Sequence, residues 1–212
     1  MRIEHRHPWL IADLEIPMRV LSWAPYRAGL VTAQKIAWRE VRNADLTPEL
    51  DVAAWLSAEM EREGLQQAVG FITSRNVARH HTAAETNGYA TATCLATVGL
   101  GNVERVGRRV VGSAAKAGTI NILSEVRPAL SQAAVLEAMS IATEARTLAV
   151  IEAGRQVPAG IATGTGTDCI AIASPEGDTA YAGKHTGVGE ALGRSVYKAV
   201  SQGIAEWVAE RG

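Results

Sequence analysis

The sequence predicts an α+β fold, with a mixed, largely antiparallel β-sheet (one sheet or two) covered by helices in a single domain over residues 1–212. Two observations carry this. Strand-like segments come in adjacent pairs between long helices, which favours hairpins over a doubly wound parallel sheet. No repeat of roughly 20 to 50 residues and no low-complexity linker divides the chain, and hydrophobic residues at 47% suffice for one substantial core.

The elements follow in order. "MRVLSW" (Met18 to Trp23) reads as a buried strand stopped by "APYRAG". "GLVTAQKIAWREV" alternates well enough for a strand, yet its Ala, Gln and Lys would suit a helix, so it stays open. "LTPELDVAAWLSAEMEREG" carries helix signals: Thr47 as N-cap, Pro48 at the first helical position, acids in the first turn and Gly64 past the end. "AVGFITS" and the longer "YATATCLATVGL" read as strands, the second entering the turn "GLGN"; "GTINILSEV" is another. "PALSQAAVLEAMSIATEARTLAVIEAG" is a long helix closed by Gly154. A Gly- and Thr-rich stretch from Gly160 to Pro175 follows, and "YAGKHT" leads to a last helix from about Gly187 to Arg211, with Thr186 placed to cap it.

Charge narrows the function. With 21 basic and 22 acidic residues, a net charge of −1 and no polybasic block, the chain offers no electrostatic handle for nucleic acid or an acidic membrane. "MRIEHRHPWL" is charged from its second residue, unlike a signal peptide, and no run approaches the ~18 to 20 apolar residues of a membrane span. Cys94 and Cys169 lie in apolar strand-like segments, as small core residues of a reducing compartment do. A cytoplasmic location is expected.

Several motifs fail on spacing. Five residues separate Gly177 from Gly183 where a phosphate loop has about four, and Lys184 precedes His185 instead of Ser or Thr. In "GLGNVERVG", Glu104 stands where the dinucleotide fingerprint needs its third glycine. HExxH, CxxC and GxSxG are absent, and the adjacent His80 and His81 point different ways, as an exposed pair would. No metal and no cofactor is expected.

What remains is polar residues in apolar context. "GIATGTGTDCIAIASP" reads as two short strands around a turn whose residues Gly164, Thr165, Gly166, Thr167 and Asp168 offer accessible backbone, hydroxyls and a carboxylate. Glu144 shares a helix face with Ile141, Leu148 and Ile151, without Lys or Arg three or four residues away. A carboxylate buried that way is costly, and such groups concentrate at functional sites; a tertiary arginine is the alternative. His185, just before a helix N-terminus, would favour its neutral, proton-accepting form. Asn102, Thr119 and Asn121 could bond a substrate amide or neighbouring turns. Asp168, Glu144 and His185 are thus the candidate acid/base groups, the others the candidate binding residues.

In this order, "ATVGLGN", "GTINIL", "ATEARTLAVIEAG", "GIATGTGTDCIAIASP" and "YAGKHTGVGEALGRSVYKAV" resemble the adenosylcobinamide amidohydrolase (CbiZ) family from about Ala90 onward. "VLSWAPYRAGL" and "GFITSRNV" extend the resemblance toward the N-terminus. The sequence departs from the family pattern at Trp23, where serine is expected, at Ala28, where a second glycine is expected, and in "KHT" after "YAG". The resemblance implies hydrolysis of the amide joining the corrin propionate to the aminopropanol arm of adenosylcobinamide, giving adenosylcobyric acid and 1-aminopropan-2-ol. It carries over no catalytic residue. It also implies a corrinoid partner and an open cleft, one that subunits of a homo-oligomer could share. A corrinoid carrier or sensor is the rival reading; the D-x-H-x-x-G arrangement of one class of B12-binding module is absent. A phosphate-binding transferase is disfavoured by the failed loop spacing.

Overall fold

The computed structural model describes residues 1–42, 45–47, 49–108 and 117–211. An eight-stranded mixed sheet dominates it, built from β1 (Arg2–Arg6), β2 (Trp9–Ser22), β3 (Gly29–Glu40), β4 (Val69–Thr73), β5 (His80–Asn87), β6 (Ala90–Val98), β8 (Ile120–Arg127) and β12 (Cys169–Ser174). The order is β4-β3-β2-β12-β8-β6-β5, with β1 beside β2. Only β3–β4 and β8–β12 run parallel; the other pairs are antiparallel. The α+β expectation holds, in one sheet. Short ribbons add β7 (Val103–Glu104) with β11 (Gly164–Thr165), and β9 (Gln156–Val157) with β10 (Gly160–Ile161).

A bulge in β2 curls the sheet on itself. Residues 9–13 of β2 lie between β1 and β3, whereas residues 19–22 lie between β12 and β3. The register with β3 shifts between Asp13 and Met18. There Asp13 accepts from the Glu15 amide at 2.8 Å and from Gln34 Nε2 at 3.0 Å, holding Glu15 at φ +69°. The bend lets β2–β4 cover the inner face of β6, β8 and β12. A buried core including Leu14, Trp38, Phe71, Leu95 and Leu123 fills the space between. Trp38 and Phe71 meet edge to face with centroids 4.9 Å apart.

Helices cover both outer faces. The helix α1 (Val52–Arg62) packs Leu56 and Met60 on Trp9, Ile11 and Ala37. Its N-cap is Asp51, which accepts from the Ala54 amide at 3.0 Å, and not Thr47, whose carbonyl instead accepts in a turn from Leu50. Pro48 lies outside the described residues. Gly64 ends the helix at φ +71°, as expected. The helices α2 (Gln132–Glu152) and α3 (Gly187–Ala209) cover β5, β6, β8 and β12. Thr186 caps α3 through the Gly189 amide at 3.0 Å, also as expected.

The open segment from Gly29 is strand β3, because β2 and β4 satisfy its backbone on both sides. The histidine pair begins β5 and is half-buried, contrary to the exposed reading. His80 bonds the Val77 carbonyl at 2.8 Å and His81 bonds Glu206 at 3.0 Å.

Glu206 and Glu210 close the C-terminal turn of α3 onto the sheet through Arg75, buried to 8% exposure, and through Arg79 and His81. For Glu206 burial alone would raise the pKa, but hydrogen bonds from Arg79 and His81 outweigh it and the net shift is downward. Glu210 is lowered chiefly by Arg75. A carboxylate depressed in the folded state contributes stability that is complete above its unfolded pKa of about 4.3 and lost as pH falls through the lower folded value. Urea titrations should therefore show wild type more stable than Glu206→Gln at pH 7, with the gap shrinking below pH ~4. Parallel pH profiles would contradict the assignment.

Candidate active site

Where β2 and β4 end and β8 and β12 begin, the curled sheet leaves a cleft of about 610 Å³ at one end of the central core. One wall is mainly apolar: Trp23 and Pro25 after β2, Val41, Leu46 and Ile72, with Thr73 and Ser74 where β4 ends. The other is polar, built from Asn102, Gly118, Thr119 and the turn Gly166–Asp168. Asn121, 1% exposed, fastens the two halves by donating from Nδ2 to the Ile72 carbonyl at 2.8 Å.

Asp168 organises the polar wall. Its Oδ1 accepts from the Ile120 amide at 2.9 Å and from the Thr165 hydroxyl; its Oδ2 accepts from the Thr165 amide at 2.9 Å and from Arg146 of α2. An ionised carboxylate has about four lone-pair sites, and four donors occupy them here. With its side chain 6% exposed and its oxygens engaged by these four donors, Asp168 holds the turn in place. The Asp168 carbonyl, in turn, accepts from Trp23 Nε1 at 2.7 Å. Thr119 Oγ1 lies 2.8 Å from the Thr167 carbonyl and 3.2 Å from Asn121 Oδ1, and Thr167 Oγ1 donates to the Gly118 carbonyl at 3.1 Å.

The glycines of "GTGTD" have separate uses. A Cβ at Gly164 would overlap Arg146 and come within 2.6 Å of Asp168 Oδ2, so glycine there makes room for the ion pair. A Cβ at Gly166 would lie 2.9 Å from Asn102 Nδ2, and the Gly166 amide donates to the Asn102 carbonyl at 3.0 Å. Asn102 reaches that place because two backbones cross: a Cβ on Gly118 would sit 2.6 Å from the Asn102 amide.

The structure gathers most, but not all, of the residues expected at a site. Asn102, Thr119, Gly166, Thr167 and Asp168 line the cleft; Asn121, Gly164 and Thr165 stand directly behind it as supports. Glu144 is elsewhere. It is 50% exposed and pairs with Lys184, which corrects the expectation of a buried carboxylate without a partner. Leu148 and Ile151, taken as its buried companions, are 49% and 40% exposed, because the face of α2 that packs is the one carrying Ala142, Ala145, Ala149 and Val150. His185 is exposed in the turn before α3. Gly187 packs against Asn87 at the far end of β6 from the cleft, so roughly 30 Å of strand separates the two places. Asp168, Glu144 and His185 therefore form no common constellation.

Arg146 is the residue that sequence reasoning missed. It lies on the packing face, four after Ala142 and three and four before Ala149 and Val150, all buried. A cation on such a face demands a carboxylate, and that signal was available. Trp23 was noticed only as a departure. Cys169, expected in the core, is half-buried at the cleft. Burial, with the charge of Asp168 second, pushes its thiol up to about 11, so it is protonated at neutral pH and unsuited to nucleophilic attack.

The family model for adenosylcobinamide amidohydrolase (CbiZ) matches residues 1–212. The chain belongs to that family. A curated adenosylcobinamide amidohydrolase of Methanosarcina mazei is 29% identical over 162 residues, covering 71% of this chain and 73% of that protein. Among solved structures, a β-aminopeptidase of a Burkholderia species aligns over 94% of this chain and 78% of that one, with a TM-score of 0.45 and 11% identity. Within the amidohydrolase family this chain thus brings a cleft whose polar wall hangs on one ion pair.

Removing either partner of that pair should be costly. Asp168→Asn and Arg146→Met are each expected to lose about 3–5 kcal/mol, because each strands a buried polar partner. The double variant should lose less than the sum of the two by about 1–3 kcal/mol. Chemical denaturation of all four proteins measures the coupling, and strict additivity would show that the contact does not organise the turn.

Proposed function

We propose that the cleft hydrolyses the amide linking the corrin propionate to the aminopropanol arm of adenosylcobinamide, releasing adenosylcobyric acid and 1-aminopropan-2-ol. The observation that carries this is the polar wall: hydroxyls and backbone of Gly118–Thr119 and Gly166–Asp168 converge on one surface of the cleft, in a chain matched by the amidohydrolase family along its full length. Water adds to the amide carbonyl carbon, the C–N bond breaks, and both water protons end on the amine, which leaves as an ammonium while the propionate is left as carboxylate. Preorganised donors aimed at the developing oxyanion are the largest aid such a wall can give. The main chain of Gly118–Thr119 and Thr167–Asp168 supplies the donors we assign to the carbonyl oxygen, and the Thr119 and Thr167 hydroxyls, which donate to the Thr167 and Gly118 carbonyls, hold that main chain in place. Asn102, against Gly166, orients the amide. Asp168 acts as a positioning residue that keeps the wall in register with β8.

The cleft is open, as a large flat substrate requires, and its volume suits only part of a corrinoid. The scissile amide and a neighbouring portion of the ring or its ligand enter, and the remainder stays at the mouth.

Incubation with adenosylcobinamide, followed by chromatographic detection of both products, tests the reaction. Wild type should release them in equal amounts. Gly166→Ala should lower kcat by about tenfold or more, because its methyl displaces Asn102 from the oxyanion wall, with an unchanged melting temperature. Binding of the corrinoid without release of aminopropanol would replace the hydrolase reading with that of a carrier.

A further inference from the structure

We propose that Trp23 is a specificity-determining residue, a stacking platform for a flat conjugated surface of the corrinoid. The proposal rests on the functional reading above and names the part of the substrate that the second wall takes. Trp23 is 46% exposed although it is among the largest apolar side chains of the protein. Its one polar atom is already used, since Nε1 donates to the Asp168 carbonyl at 2.7 Å. The indole is therefore held in place by the same turn that forms the polar wall, and what it still presents to the cleft is apolar ring. Pro25, Val41 and Leu46 extend that surface.

A pinned aromatic ring beside a polar wall suits a ligand with a flat face next to an amide. Stacking is favourable for any π-surface and needs no hydrogen bonds from the ring. Adenosylcobinamide offers two such surfaces, the adenine of its upper ligand and the corrin. The hydrogen bond to Asp168 ties the platform to the chemistry by fixing the distance between the stacked surface and the Thr167 side of the cleft.

The hydrogen bond and the ring face can be separated. Trp23→Phe keeps a flat ring and removes the donor, whereas Trp23→Leu removes both. If stacking is the role, Trp23→Leu should weaken binding by roughly tenfold, seen in KM for adenosylcobinamide and in Kd for adenosylcobyric acid by equilibrium dialysis. Trp23→Phe should stay within about threefold of wild type in both. Dialysis of methylcobyric acid, which lacks adenine, identifies the surface: a tenfold loss that persists points to the corrin, and one that vanishes points to adenine. Phe and Leu variants that behave alike, or a Leu variant that binds like wild type, would overturn the proposal. Wild type that neither binds nor cleaves the corrinoid would instead overturn the functional reading.

Discussion

Four donors converge on the carboxylate of Asp168, and they come from three separate parts of the chain: the start of β8, the turn itself and helix α2. The contact therefore joins the sheet, the Gly- and Thr-rich loop and the helical layer at one point. Breaking a buried ion pair by removing one partner costs about 3–5 kcal/mol, against a total stability of about 5–15 kcal/mol for a typical domain. Much else follows from it. Gly164 must lack a side chain because Arg146 and Asp168 occupy its space. Trp23 takes its orientation from the carbonyl of the same residue. The polar wall of the cleft is thus fixed by an interaction whose acceptor oxygens are all engaged within the protein.

The other determinant is the bulge in β2. Without the register shift between Asp13 and Met18, β2 would keep one set of neighbours and the sheet would stay open. With it, β2 exchanges β1 for β12, and the N-terminal strands fold over the inner face of β6, β8 and β12. The apolar wall belongs to the folded-over half and the polar wall to the half that carries it. Asn121, reaching from β8 to the Ile72 carbonyl, sets their spacing at the cleft.

Much of the fold was legible in the sequence because local rules governed it. The two long helices announce themselves by apolar period, the Thr186 cap and the closing glycine Gly154, at φ +66°. The paired strands implied hairpins. Less legible was β5, "HHTAAETN", whose polar pattern shows no strand until β6 pairs with it along its whole length. The site was half legible. The "GTGTD" turn, Asn102 and Thr119 stood out as polar residues in apolar surroundings, and they meet. Glu144 misled because α2 carries a second apolar face, with Ala142, Ala145, Ala149 and Val150, and it is that face which packs, leaving Leu148 and Ile151 exposed. The buried face carries Arg146, and only the tertiary fold brings Asp168 to it.

The central claim is that the cleft beneath the Asp168 turn is where the corrin amide is cut. A crystal structure with adenosylcobyric acid bound tests it most directly. The account predicts the new propionate carboxylate within hydrogen-bond distance of the Thr119 or Thr167 wall. A product seated instead outside the cleft, beside the exposed Glu144–Lys184 pair and His185, would contradict it.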